Sequence, residues 1–66
     1  MLRLELDERE AKDLKLALSV RLLGMREELV HTDHREYREG LRALIERLEA
    51  VAQRLERTIR EGASAR

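Results

Sequence analysis

The order of apolar and polar residues changes from strand-like to helical near the start of the chain. Residues 2–6 read Leu-Arg-Leu-Glu-Leu, an alternation that is typical of a β-strand. From residue 8 onward, apolar residues recur every three to four positions, which indicates helix. Within a single domain, 1–66, the pattern predicts a strand over 2–6, a helix over 8–30, a turn over 31–33, a helix over 34–61 and a tail over 62–66.

Capping signals support the start of each predicted helix. Asp7 is followed three residues later by Glu10, the spacing of a capping box, so the Asp7 side chain is expected to accept from the amide of Glu10. Asp33 and Glu36 repeat that spacing, and Thr32 is an alternative cap. The first helix should therefore begin at residue 8 and the second near residue 34.

The break between the helices is short and polar. It reads His31-Thr32-Asp33-His34 and contains neither proline nor glycine, so one uninterrupted helix is the competing prediction. Gly62 is expected to cap the second helix at its C-terminus and to begin a frayed tail.

The first helix has two apolar sides. On a helical wheel one stripe contains Ala11, Leu14, Leu18, Leu22, Met25 and Leu29. The opposite stripe contains Leu16, Val20, Leu23 and Val30, with Ala17 and Gly24 beside it. A helix that is apolar on two sides is buried by two different neighbours.

The second helix has a single broad stripe. It contains Tyr37, Leu41, Leu44, Ile45, Leu48, Val51, Ala52, Leu55 and Ile59. Folding the chain at residue 32 pairs residues whose numbers sum to about 63, which places Leu22 opposite Leu41 and Leu18 opposite Ile45. The first stripe of helix 1 is thereby covered, and the chain is expected to form an antiparallel two-helix hairpin.

The opposite stripe of helix 1 stays uncovered in such a hairpin. Because monomers seldom expose a contiguous apolar patch, a second copy is its simplest cover, and two hairpins make a four-helix bundle. The fold is thus predicted to be all-α, with a short N-terminal strand that pairs with its own copy. The predicted interface residues are Leu2, Leu4, Leu6, Leu16, Ala17, Val20, Leu23 and Gly24.

Composition narrows the function classes. The chain has 66 residues, no cysteine, and equal numbers of basic and acidic residues, giving a formal net charge of +0. So small a domain, with no disulfide to staple it, usually needs a partner. Zero net charge argues against non-specific nucleic-acid binding. No apolar run is long enough for a membrane span, and the start does not look like a secretory signal, so a cytoplasmic protein is expected.

Candidate chemistry is sparse. Glu27 and His31 share a helical face beside His34, yet a polar turn explains them better than a metal site, since no metal-binding signature is present. The acidic residues lie mostly on charged helix faces rather than in a dry concave site. Neither catalysis nor a cofactor is predicted.

The alternation of leucines before a capped helix resembles the opening of ribbon-helix-helix DNA-binding proteins. That resemblance implies that Arg3 and Glu5 face DNA bases from a paired ribbon. Against it, helix 1 is about twice the family's usual length, the usual glycine-containing turn is missing and the net charge is zero. DNA binding is therefore the alternative rather than the leading prediction.

A second resemblance covers residues 22–41. The segment resembles a group of short, uncharacterised bacterial helical-hairpin proteins with an Arg-x-Glu…Thr-Asp…Tyr-Arg motif, in which Glu28 takes the position of the glutamate. This resemblance implies a helical hairpin and implies nothing about activity. The turn residues it singles out are Arg26, Thr32, Asp33, Tyr37 and Arg38. They are interpreted first as a polar network that locks the turn.

The leading functional prediction is a small structural or regulatory module that binds itself as a homodimer or a higher oligomer. A helical adaptor or antitoxin-like subunit, whose uncovered stripe binds another protein, is a further alternative.

Overall fold

The chain folds into a hairpin of two antiparallel helices. A computed structural model describes residues 1–64, with side chains to residue 62. Helix α1 comprises Glu8–His31 and helix α2 comprises Arg35–Ser64, and they pack within an envelope of 48 × 25 × 15 Å. The all-helical hairpin is confirmed, and one uninterrupted helix is excluded. Neither helix is both long and apolar enough to cross a membrane within the described residues.

The residues before α1 do not form the expected strand. In the described part of the chain no residue is assigned to a strand, and residues 2–6 precede α1 without regular structure. The physical reason is that a lone strand leaves its backbone donors and acceptors unpaired unless another strand lies beside it. We call residues 1–6 the N-terminal arm.

The start of α1 follows the predicted capping box. The Asp7 side chain accepts from the amide of Glu10 at 2.8 Å, and the Glu10 side chain accepts from the amide of Asp7 at 3.0 Å. Both bonds satisfy amides that the helix itself leaves without partners. The cap therefore fixes where the arm ends and α1 begins.

The connection differs from the prediction by one residue at each helix. Helix α1 continues to His31, and Thr32 follows it in an extended conformation. At the start of α2, the His34 carbonyl accepts from the amide of Arg38 at 2.9 Å, and His34 Nδ1 accepts from the amide of Tyr37 at 3.4 Å. The capping residue of α2 is thus His34. The expectation that Asp33 caps it is wrong, because α2 begins one residue later than residue 34.

The end of α2 also differs from the prediction. The helix continues through residue 62 to Ser64, and none of the described glycines has a positive φ, so the expected left-handed cap at Gly62 does not form. A glycine inside a helix costs about 1 kcal/mol, which a helix of this length tolerates. Residues 65 and 66 of the predicted tail lie outside the described residues.

The core lies between the helices near the connection. Leu22, Met25, Leu41 and Ile45 form a buried cluster, with Met25 only 1% exposed. Partly buried residues pack around it: Leu29, Leu48 and Ala52. These residues come from the two stripes that were predicted to face each other, so the buried side of each helix is confirmed.

The register of the hairpin is displaced from the predicted one. Four side-chain contacts cross from α1 to α2, and their residue numbers sum to between 65 and 75 rather than to about 63. The later start of α2 accounts for the two smaller sums, and the two larger ones belong to ion pairs between long side chains. Leu14 consequently stays partly exposed although its stripe faces α2.

Candidate interaction surface

The side of α1 that faces away from α2 carries a row of exposed apolar residues. Leu16, Val20 and Leu23 are each 64–65% exposed, and Val30 is 74% exposed. They recur at spacings of four, three and seven residues, so they follow one line along the helix. We call these four residues the outer face. The described residues leave it largely uncovered, which makes it the main candidate surface.

The two small residues beside the outer face are also exposed. Ala17 and Gly24 lie on the surface of α1. A Cβ atom placed on Gly24 would meet nothing within 4 Å. The packing of the single chain therefore gives no reason for a glycine at this position.

The N-terminal arm adds further exposed apolar residues. Leu2 and Leu4 are exposed, and Leu6 is partly exposed. Arg3 and Glu5 form a solvent-exposed ion pair at 3.8 Å. Leu4 and Leu6 line a groove with residues from both helices, among them Leu14, Val51 and Leu55. The arm thus lies beside the hairpin, with side chains that the chain itself only partly covers.

The two flanks of the helix–helix contact differ in polarity. On one flank Lys15 pairs with Glu56 at 3.3 Å, and Arg26 pairs with Glu49. The other flank is apolar, and its partly exposed residues are Leu14, Leu44 and Val51. We call these three the apolar flank. Helical periodicity predicts that they lie in the interior of the hairpin. The α2 stripe, however, is broader than one neighbouring helix can cover, which is a signal for their exposure.

The turn motif is only partly brought together. Arg38 donates to the carbonyl oxygens of Leu29 at 2.6 Å and of Thr32 at 3.0 Å, which ties α2 to the end of α1. Arg26 instead bonds across the helices to Glu49, away from the turn. Asp33 is exposed and has no hydrogen bond with another described residue. A network that locks the turn therefore exists, but it is built on Arg38.

Tyr37 adds a further hydrogen bond between the two helices. Its hydroxyl donates to Glu28 Oε1, so the hydroxyl has a protein partner as well as solvent access. The hydrogen bond to the Glu28 carboxylate, burial and the negative charge of Glu28 raise the pKa of Tyr37, and the charge of Arg21 opposes this rise. The contact joins the two helices next to the connection.

No group of three or more histidine, cysteine, aspartate or glutamate side chains among the described residues is arranged to hold a metal ion. The described part of the chain also buries no polar or charged side chain. What the surface offers is apolar area without a partner.

Comparison with known proteins gives no match to any protein-family model, curated protein or solved structure. The resemblance of residues 22–41 to bacterial helical-hairpin proteins therefore stays a prediction.

Proposed function

We propose that the chain is a small structural or regulatory module that associates with itself and has no catalytic activity. The observation that carries this proposal is the exposed outer face of α1. Two hairpins that meet there would place α1 at the centre and α2 at the periphery of a four-helix bundle.

The energetic argument rests on the small core. Only five apolar residues of the described chain are buried, namely Ala11, Leu22, Met25, Leu41 and Ile45. Full burial of a leucine or valine side chain contributes about 1.5–3 kcal/mol, and most of that contribution is not yet realised at Leu16, Val20 and Leu23. Association would thus enlarge the apolar core of a domain that is small for independent stability.

The direct test is the mass of the protein in solution. Light scattering over a concentration series should give the mass of a dimer or a larger oligomer for the natural chain. Val20→Glu should shift the mass to that of a monomer, because it places a charge in the centre of the outer face. Gln53→Glu is the matched control, since it introduces the same charged side chain at an exposed position of α2 and should leave the mass unchanged.

Two results would contradict this proposal. A natural chain that is monomeric at every concentration would remove self-association and favour the adaptor or antitoxin-like alternative, in which another protein covers the outer face. An oligomer that survives Val20→Glu but dissociates with Val51→Glu would move the interface to the apolar flank.

One observation favours DNA binding as a second candidate. Leu2 and Leu4 of the N-terminal arm are exposed and unpaired, as they would be in one half of a ribbon that forms only between two copies. Arg3 and Glu5 would then face the bases. A gel shift that weakens with rising salt and is lost in Arg3→Ala would support this candidate, and unshifted DNA would exclude it.

A further inference from the structure

Charged residues lie on the same line of α1 as the outer face. Arg9 and Asp13 precede Leu16, and Glu27 lies between Leu23 and Val30, so the line from residue 9 to residue 30 alternates spacings of four and three residues. This is the heptad spacing of a coiled-coil seam. The seam therefore has an apolar centre of Leu16, Val20 and Leu23, with Arg9 and Asp13 before it and Glu27 after it.

The charged ends are available to a partner. Arg9 and Glu27 are both exposed, and neither forms an ion pair with another described residue. Lys12, Lys15 and Arg26 of the same helix, by contrast, each pair with a carboxylate of the hairpin. Arg9 thus lies two turns before Leu16, and Glu27, of opposite charge, lies one turn after Leu23.

From this arrangement we infer that a second copy packs on the outer face with its α1 antiparallel, so that Arg9 of each copy pairs with Glu27 of the other. This inference rests on the proposed self-association and adds its orientation and register. A parallel pair would bring Arg9, Asp13 and Glu27 next to their own copies, and like charges in contact are unfavourable. The antiparallel pair removes these contacts between like charges and forms two Arg9–Glu27 ion pairs.

One antiparallel register satisfies both the apolar centre and the charged ends. It places Val20 opposite Leu16 of the second copy, and the same shift places Arg9 opposite Glu27. The symmetry axis then passes at the level of residue 18. Asp13 falls opposite Leu23 at the rim of the apolar centre, one helical turn from Arg9 of its own chain. A shift by one heptad would instead set Glu27 against Leu16.

This orientation separates the two N-terminal arms. At a rise of about 1.5 Å per residue, the starts of the two α1 helices would lie about 30 Å apart along the seam. The arms could not pair into a ribbon within that dimer. Self-association through the outer face and a paired DNA-binding ribbon are therefore mutually exclusive in one dimer.

Charge exchange tests the inference. Arg9→Glu and Glu27→Arg should each raise the dimer dissociation constant roughly tenfold, measured by sedimentation equilibrium, because each turns two attractive contacts into repulsive ones. The double variant should return the constant to within about threefold of the natural value. Arg35→Glu is the control, since it changes the same charge on an exposed residue of α2 and should have little effect.

Engineered cysteines give an independent readout, because the chain has none of its own. Leu16→Cys and Val20→Cys variants of different mass, mixed and oxidised, should form mainly the mixed disulfide dimer in the antiparallel register. A parallel pair would instead cross-link each variant to itself and would overturn the inference.

Single charge variants that dimerise like the natural chain would overturn it too, while self-association would stand. A natural chain that stays monomeric would overturn both.

Discussion

At the scale of single residues, the contacts beside the connection determine how the two helices are joined. Arg38 donates to the carbonyl oxygens of Leu29 and Thr32, and Tyr37 donates to Glu28. Carbonyls in the last turn of a helix have no partner within the helix, so the Arg38 guanidinium satisfies groups that would otherwise need water. These bonds fix the angle at which α2 leaves the turn.

The Tyr37–Glu28 contact makes the titration of Tyr37 a test of the hairpin. The hydrogen bond to Glu28 raises the pKa of Tyr37 above its usual value of 10.0. A pKa that is higher in the folded chain stabilises the fold below the unfolded value, and that contribution is lost as the pH rises through the folded pKa. Because Tyr37 is the only aromatic residue, tyrosinate absorbance reports on it alone.

We expect Glu28→Ala to lower the pKa of Tyr37 toward its usual value. Glu46→Ala, a change at an exposed glutamate of α2, should leave the titration unchanged. Identical titration curves for the natural chain and Glu28→Ala would mean that the contact does not persist in solution.

At the scale of helices, the two N-termini differ in the quality of their caps. Asp7 and Glu10 form a reciprocal capping box on α1, whereas α2 has a single long bond to the His34 imidazole. Aspartate is among the preferred capping residues. We therefore expect His34→Asp to increase the free energy of unfolding by about 0.5–1 kcal/mol, measured by urea denaturation.

The neighbouring aspartate provides the matched comparison. If His34 is the cap, Asp33→Ala should change the free energy of unfolding by no more than about 0.5 kcal/mol, since Asp33 has no hydrogen bond with another described residue. A loss of about 1 kcal/mol or more in Asp33→Ala would assign the cap to Asp33 instead.

The two helices show which features of the fold the sequence predicts and which it does not. The cap at Asp7 and the buried cluster around Met25 follow from local spacing and from helical periodicity, and both were predicted. The start of α2 was missed by one residue, because Thr32, Asp33 and His34 are all plausible caps and only packing against α1 chooses among them. The exposed apolar flank was missed because exposure depends on the hairpin register, which periodicity alone does not set.

The candidate surface was predictable to a similar extent. Leu16, Val20 and Leu23 were recognised as a stripe that the hairpin leaves open, and the structure places them in solvent. The grouping of Arg26 and Asp33 with Arg38 was not recoverable from their spacing, because the partner of Arg26 is Glu49 on the other helix.

At the scale of the whole molecule, stability and association should be coupled. A single hairpin buries few apolar residues, so a second copy that covers the outer face would stabilise the folded state by mass action. Each tenfold increase in protein concentration stabilises the folded dimer, relative to unfolded chains, by about 1.4 kcal/mol. In a domain of this size, 1 kcal/mol shifts the melting temperature by about 4–8 °C.

The melting temperature of the natural chain should therefore rise by roughly 5–10 °C over a hundredfold increase in concentration, followed by circular dichroism. Val20→Glu should melt at a lower temperature that does not depend on concentration, whereas Gln53→Glu should follow the natural chain. A melting temperature of the natural chain that stays constant over this range would show that the hairpin folds without a second copy. The outer face would then have to be accounted for by a partner of another kind.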